Sequence, residues 1–435
     1  MDLTVWTGIV LFGLFFLFLF IGVPISVSIA IAAFAAVLIV LPMTPSLLVI
    51  SQQLITGVDS TVLLALVFFM LAGSIMNNGG IAERLINLAK LIGGRMAGSL
   101  AHTNIIGNTL FGAISGSAIA ASATMGRIMH PQETKEGYAP SYSAAVNIAS
   151  APTGLIIPLV EFRSFFSLLS GGTSIGALFI AGYLPGILMI ILLMVVAYIL
   201  AKRANYPVSA KTSGSEAVRV VLQSIPSLLL IVVVIGGIAS GIFTATEGAA
   251  VAVLYAGILS LFYRQLKLPD VPKILKETVI YSGIILLLIG TSTAMSWVLA
   301  YAGIPQAISE AMLSITDNVP ILLLIMLFIL LIVGTFMDVA PALLIFTPIL
   351  FPVAMQMGMD PVHFGTIMAM ALAIGVTTPP IGTVLFIGSS VSGVSIEKVI
   401  PKLLIFYVPL VIALVLVTFI PEISLFLPRL FGLVE

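Results

Sequence analysis

Most of this chain is divided into apolar stretches too long for the helices of a soluble core. They fall at 3–41, 60–77, 100–129, 140–170, 176–201, 221–243, 246–263, 278–302, 320–351, 362–392 and 401–427. A helix needs roughly 18–20 such residues to cross the hydrocarbon of a bilayer. In lipid every backbone N–H and C=O must be satisfied within the protein, which leaves helices and closed barrels as the spanning structures. Runs of this length predict an all-α polytopic membrane protein. Composition agrees: 60% of the residues are hydrophobic and 8% charged, against roughly 25% charged in a soluble domain. The opening MDLTVWTGIV has no basic region and no small-residue cleavage site, so it reads as a retained helix. The first stretch is either one long tilted helix or two joined at Gly22-Val23-Pro24.

Several function classes lack their chemistry. The formal net charge is zero, which gives no argument for nucleic acid or an acidic partner. Cysteine is absent, and His102, His130 and His363 are scattered, so no transition-metal site is expected. A phosphate-binding G-x-x-x-x-G-K-[ST] loop, an HExxH motif and a pair of membrane aspartates are all missing. The expectation is a protein that is not an enzyme and needs no cofactor.

Lysine and arginine set the orientation, because they are retained in cytoplasmic loops. One basic loop holds Lys202, Arg203, Lys211 and Arg219, a second holds Arg264, Lys267, Lys273 and Lys276, and a third candidate holds Arg84, Lys90 and Arg95. No Lys or Arg occurs between Glu277 and Glu397, and the loop near 303–319 carries only Glu310 and Asp317. That loop is expected outside the cytoplasm.

The chain also matches itself. Pro131, Gly137, Pro140, Gly154, Pro158, Gly172, Ser174 and Ile175 recur as Pro352, Gly358, Pro361, Gly375, Pro379, Gly393, Ser395 and Ile396, each shifted by 221 positions (131 to 352, 175 to 396). Gly80-Ile81 pairs with Gly303-Ile304 at a nearby offset. The region near 80–97 is basic and its counterpart acidic, as expected when an odd number of spans inverts the second copy. Inverted repeats with broken helices near the midplane are the architecture of secondary transporters. The expected division is scaffold helices at 1–97, a first transport repeat at 98–201, scaffold helices and cytoplasmic loops at 202–302, and a second transport repeat with a C-terminal helix at 303–435.

Each repeat is expected to contain a re-entrant hairpin followed by a broken helix: SGSAIAASATMG (115–126) then SAPTGLIIP (150–158), and GTFMDVAPA (334–342) then GVTTPPIGT (375–383). Gly, Pro, Ser and Thr inside apolar runs unwind helices and free carbonyl groups, which suit a sodium ion, while half-helix N-termini attract an anion. Asp338 stands alone in an uncharged run. A carboxylate there costs several kcal/mol unless paired or coordinated, so it is a candidate to bind a cation or to hold the hairpin. A wet vestibule is the other possibility. Glu247, in FTATEGAAV, lies near a short turn and reads as interfacial.

Taken together and in order, FFMLAGSIMNNGGI (68–81), SGSAIAASATMG, PQETKEGYAPSYSAA (131–145), FTATEGAAVA (243–252), IVGTFMDVAPALLIFTPIL (332–350) and TTPPIG (377–382) resemble the large membrane subunit of tripartite ATP-independent periplasmic transporters. The resemblance covers nearly the whole chain, and SAPTGLIIP and SGGTSIGALF are most similar to sialic-acid-type members. It implies an elevator-type, sodium-driven importer of carboxylated solutes in the bacterial inner membrane. Its implied partners are a small helical membrane subunit and a periplasmic substrate-binding protein. By resemblance, one sodium site involves Ser115, Ser117, Gly154, Ile157 and Pro158, and a second Gly334, Thr335, Gly375, Thr378 and Ile381. Asp338, Thr383, Glu161 and Arg163 are candidates for substrate binding or coupling. Where the family commonly reads IPPS, this chain reads IIPLVEFRSF (156–165), which places Glu161 and Arg163 near the break. They either pair with each other, or Arg163 reads a substrate carboxylate, whose geometry a guanidinium fork matches. A self-sufficient sodium/dicarboxylate symporter of similar architecture is the alternative reading.

Overall fold

The computed structural model describes residues 3–94, 96–157, 160–208, 213–316 and 318–434, and its α and 3-10 helices are the only regular elements among them. The N-terminal part holds α1 (Leu3–Phe20), α2 (Ile25–Val40), α3 (Met43–Val58), α4 (Val62–Asn78) and the amphipathic α5 (Ile81–Gly93). The first repeat continues with a hairpin, α6 (Ser99–Ser115) and α7 (Ala118–Lys135). A broken helix follows, α8 (Pro140–Ile156) and α9 (Val160–Leu169), then α10 (Ile175–Ala181) and α11 (Tyr183–Arg203). The middle comprises α12 (Gly214–Ala239), α13 (Ala245–Phe262), the long α14 (Val271–Tyr301) and α15 (Ile304–Ile315). The second repeat has its hairpin in α16 (Val319–Phe336) and α17 (Val339–Gln356), its broken helix in α18 (Pro361–Gly375) and α19 (Thr383–Ser392), then α20 (Ile396–Phe419) and α21 (Glu422–Leu430).

By length and composition, the described residues supply eight helices able to cross a membrane, or nine if the bent pair α3–α4 is one span. The protein is therefore a multi-pass membrane protein. The first apolar stretch is two helices, because Pro24 cannot donate to a continuing ladder and Gly22 adopts φ 89°. Helix α3 is absent from the apolar stretches read along the sequence. Ser46, Ser51, Gln52, Gln53 and Thr56 interrupt its hydrophobic run, and it is held by packing against α14.

The sequence repeat is a repeat of elements. Gly80 and Gly303 start α5 and α15 in the left-handed region, at φ 75° and 70°. Pro140 and Pro361 open α8 and α18 at the first helical turn, where a missing N–H costs nothing. Every residue of α8 from Tyr142 to Ile156 is buried, as is every residue of α18 from Val362 to Gly375. Helices buried on every face belong inside, and these two lie against one another. Each is flanked by the first arm of its own hairpin, α6 on α8 and α16 on α18.

The turn read as interfacial is a capping box. Thr244 Oγ1 accepts from the Glu247 N–H at 3.2 Å, and Glu247 accepts from the Thr244 N–H at 2.8 Å. The T-A-T-E spelling is thus a helix start for α13.

Candidate transport site

The two hairpins turn at equivalent places by different chemistry. In the first, Gly116 ends α6 at φ 66°, and Ser117 starts α7 by accepting from the Ala120 N–H at 3.2 Å. In the second, Asp338 sits 221 positions after Ser117 (117 to 338) and starts α17, accepting from the Val339 N–H at 2.9 Å. Asp338 is therefore the N-cap of α17, the second arm of its hairpin, where a helix dipole favours negative charge.

The hairpins are pinned to the broken helices through glycine. A Cβ on Gly112 would lie 2.6 Å from the Gly154 Cα, and one on Gly375 would lie 2.6 Å from the Gly334 Cα. These separations are shorter than any side chain allows, so backbones meet directly just before each break, in both repeats. Small residues at such crossings let helices approach closely in a membrane.

Between the tips lies a cavity of about 60 Å³. Its walls are Gly116, Ser117, Ala118 and Ile119 from the first tip and Asp338, Val339 and Ala340 from the second. Leu155 closes it from α8, and Phe162 and Phe165 from α9. The structure thus brings Ser117 and Asp338 to one space. Pockets for small organic ligands run to roughly 300–1,000 Å³, so this one holds an ion or a water or two unless the tips part.

The remaining predicted residues distribute around that space. Ser115 Oγ accepts from the Ser117 N–H at 3.4 Å, which ties the first turn. The Ile157 side chain is turned away from the tip and fills the place of a side chain at Gly186 on α11. Pro158 and the Glu161 side chain lie outside the described residues. Thr335 Oγ1 donates to Ile332 O at 2.7 Å at the end of the hairpin arm α16, and Thr378 Oγ1 donates to Ile374 O at 3.0 Å beyond the end of α18. Beyond Gly375 the chain runs non-helically to Gly382 through a cis Pro379–Pro380 bond. The Tyr407 hydroxyl donates to Thr377 O. Thr383 Oγ1 is buried with no hydrogen-bond partner, beside this opened backbone. Ile381 is exposed. The second break does not line the cavity between the tips.

Arg163 is also outside the cavity wall. It is buried, with Nη2 donating to Ile156 O at 2.8 Å and Nη1 to Leu178 O. A Cβ at Gly182 would strike its guanidinium. Arg163 therefore bridges the last carbonyl of α8 to α10, placing a positive charge at the negative end of a half-helix. Phe162 and Phe165, unremarked as site residues in the sequence, form the apolar wall instead. Their spacing of one helical turn on α9 is the signal that puts both on one face.

Paired helical hairpins facing paired broken helices, in a chain whose described residues supply eight helices long and apolar enough to cross a membrane, are the frame of a membrane transport subunit. The family model for the DctM component of tripartite ATP-independent periplasmic transporters matches residues 12–423, and the chain belongs to that family. It is 50% identical over 98% of both chains to the uncharacterized protein YgiK of Salmonella typhimurium. It is 39% identical to the sialic acid TRAP transporter large permease SiaM of Vibrio cholerae, over 88% of this chain and 89% of that one. With the C4-dicarboxylate large permease DctM of Pseudomonas aeruginosa it shares 37% identity over 85% and 87%. Among solved structures, the Alcanivorax borkumensis YdaH transporter shares the fold, at TM-score 0.60 and 16% identity over 85% of this chain and 86% of that one. The family places the chain in the bacterial inner membrane as one component of a three-part importer.

Proposed function

We propose that this subunit imports a carboxylated solute, a sialic acid, related sugar acid or dicarboxylate, driven by sodium. The solute would be delivered by an extracytoplasmic binding protein, and a small helical membrane subunit would hold the scaffold. The observation that carries the reading is the cavity closed by Ser117 and Asp338, with glycine-pinned helix breaks behind each tip. The relatives' names supply the solute class, since one is named for sialic acid and another for C4-dicarboxylates.

The donors at the breaks fit sodium: hydroxyls of Ser115, Ser117, Thr335, Thr378 and Thr383 and the carbonyls of unwound backbone, all hard oxygen ligands. Sodium would be cargo, organising each tip against its break. The tips would then part to admit a solute larger than the present cavity, between half-helix N-termini that favour its carboxylate. The two repeats, with their hairpins and breaks, would cross the membrane as a moving domain on the remaining helices. Each net positive charge carried inward gains about 2.3 kcal/mol per 100 mV, about 40-fold accumulation at 1.4 kcal/mol per decade. Two sodium ions per monoanion therefore suffice to concentrate it. In this reading Arg163 holds the first break in shape and contributes its charge there, without touching solute.

The test is uptake of labelled sialic acid and labelled C4-dicarboxylate into proteoliposomes holding this subunit with its small partner. The sodium gradient and the binding protein are varied independently. Uptake that requires both supports the reading, and uptake with sodium alone replaces it with a self-sufficient symporter.

A further inference from the structure

The first repeat buries a line of polar side chains that the cavity between the tips does not use. Glu133, on α7, is fully buried and accepts from Asn104 Nδ2 at 3.2 Å and from the Ser143 hydroxyl. Ser143 Oγ lies 2.8 Å from His130 Nδ1. Among the described residues no Lys or Arg stands within ion-pair distance of Glu133, the ion pair present being Arg429–Glu422. A buried carboxylate without a countercharge is strongly unfavourable, and two neutral donors compensate only part of that cost.

One helical turn along, oxygens crowd a single point. Asn108 Nδ2 lies 2.9 Å from Asn104 Oδ1, 3.0 Å from Asn147 Oδ1, 3.3 Å from Asn147 O and 2.9 Å from Ser150 Oγ. An amide nitrogen has two hydrogens, so four oxygens face two donors. Their orientations are fixed from behind. Ser150 spends its proton on Val146 O at 2.7 Å, and Asn147 spends its own Nδ2 on Ser122 O at 2.8 Å. Asn108 Oδ1, on a side chain with no exposed surface, has no partner. The positive end of an amide dipole thus occupies an oxygen cage that has a buried carboxyl group one residue away.

We propose that this cage is a further sodium-binding site, in which Asn108 Nδ2 now stands where the ion sits. Swinging the Asn108 side chain back from that point would make room for the ion and turn its orphan Oδ1 toward it, completing a shell with Asn104 Oδ1, both Asn147 oxygens and Ser150 Oγ, with Glu133 supplying the charge. An all-oxygen shell with one nearby carboxylate suits a hard monovalent cation, and no His, Cys, Asp and Glu cluster suited to another metal occurs among the described residues. Thr109 and Thr153, whose hydroxyls lie 2.7 Å apart, continue the polar line toward the Gly112–Gly154 crossing. Residues 221 positions on replace every oxygen-bearing side chain of the cage: Ile325 and Ile329 for Asn104 and Asn108, Met368 for Asn147, Ala371 for Ser150 and Ala354 for Glu133. The site belongs to the first repeat alone.

The proposal rests on sodium being the coupling ion, and two measurements separate it from that reading. Dicyclohexylcarbodiimide labelling of the wild-type protein, read by peptide mass spectrometry, is expected to modify Glu133 in choline chloride and at least tenfold less in saturating sodium chloride. Labelling of Glu133 that is the same in both salts overturns the site. Equilibrium binding of radioactive sodium is expected to lose one ion per chain in Glu133→Gln and in Asn108→Leu, with the remaining ions still bound. Wild-type stoichiometry and affinity in folded variants overturn the site and leave sodium coupling intact. Wild-type protein that binds no sodium overturns the coupling reading and this site with it.

Discussion

The two repeats share their elements, caps and glycine crossings, yet their interiors are made of different matter. In the first, α6, α7 and α8 are joined by Asn104, Asn108, Ser122, Glu133, Ser143, Asn147 and Ser150, all buried and hydrogen-bonded to one another or to backbone. In the second, the residues at those positions on α17 and α18 are Leu343, Ala354, Phe364, Met368 and Ala371, equally buried and apolar. At the tips the polarity reverses, with the hydroxyl of Ser117 in the first and the carboxyl of Asp338 in the second. A duplicated architecture can therefore keep its backbone path while each copy specialises. The Gly–Gly crossings dictate the path, and the side chains between them are free to differ.

The crossings should give the largest effects. Gly154→Leu and Gly375→Leu are each expected to abolish uptake and to lower the melting temperature of the purified protein, with overpacking costs of about 1–3 kcal/mol or more. Tolerance of one and not the other would break the equivalence of the two paths. Thr378→Leu removes a hydroxyl from the second break. It should reduce sodium-dependent uptake by roughly a hundredfold, about 2.7 kcal/mol of lost coupling, in a folded protein. Unchanged sodium dependence would remove Thr378 from the ion path.

Asp338→Asn sharpens the difference between the tips, because Asn caps a helix about as well as Asp. Uptake is expected to fall about tenfold, or 1.4 kcal/mol, with the melting temperature unchanged. Equal loss of both would make Asp338 a structural cap only. Arg163→Lys tests the first break. A lysine cannot bridge the Ile156 and Leu178 carbonyls as a fork does, and losing one charged hydrogen bond costs about 1.5–3 kcal/mol. Thermal stability and uptake should therefore fall together, by a few-fold in uptake. A variant of normal stability with lost solute affinity would return Arg163 to substrate recognition.

Much of this is legible in the sequence. The hairpin tips and breaks show in the sequence because Ser115-Gly116-Ser117, Gly154, Gly375 and Thr377-Thr378-Pro379-Pro380 interrupt apolar runs that otherwise have no reason to stop. Glu133 was not legible as a buried group. In PQETKEGY it stands among Gln132, Lys135 and Glu136 and resembles any solvated helix end. The available signal was on its partners, Asn104 and Asn108 one turn apart on α6 and Ser143, Asn147 and Ser150 on one face of α8. Arg163 was visible as an oddity near the break, but the two carbonyls it holds come from Ile156 and Leu178, which have no side-chain signature.

What the sequence determined by itself is the class of molecule: helices that cross a membrane, a twofold repetition of hairpin and broken helix, and family membership. Those follow from local facts, since apolar length decides what enters lipid, and Gly and Pro decide where a helix must end. Only the tertiary structure decided which polar groups face one another. It set Ser117 opposite Asp338, gathered four oxygens around Asn108 and turned Arg163 from the cavity to the backbone. Burial and hydrogen bonding depend on which helix lies alongside, and that is settled by packing across distant segments.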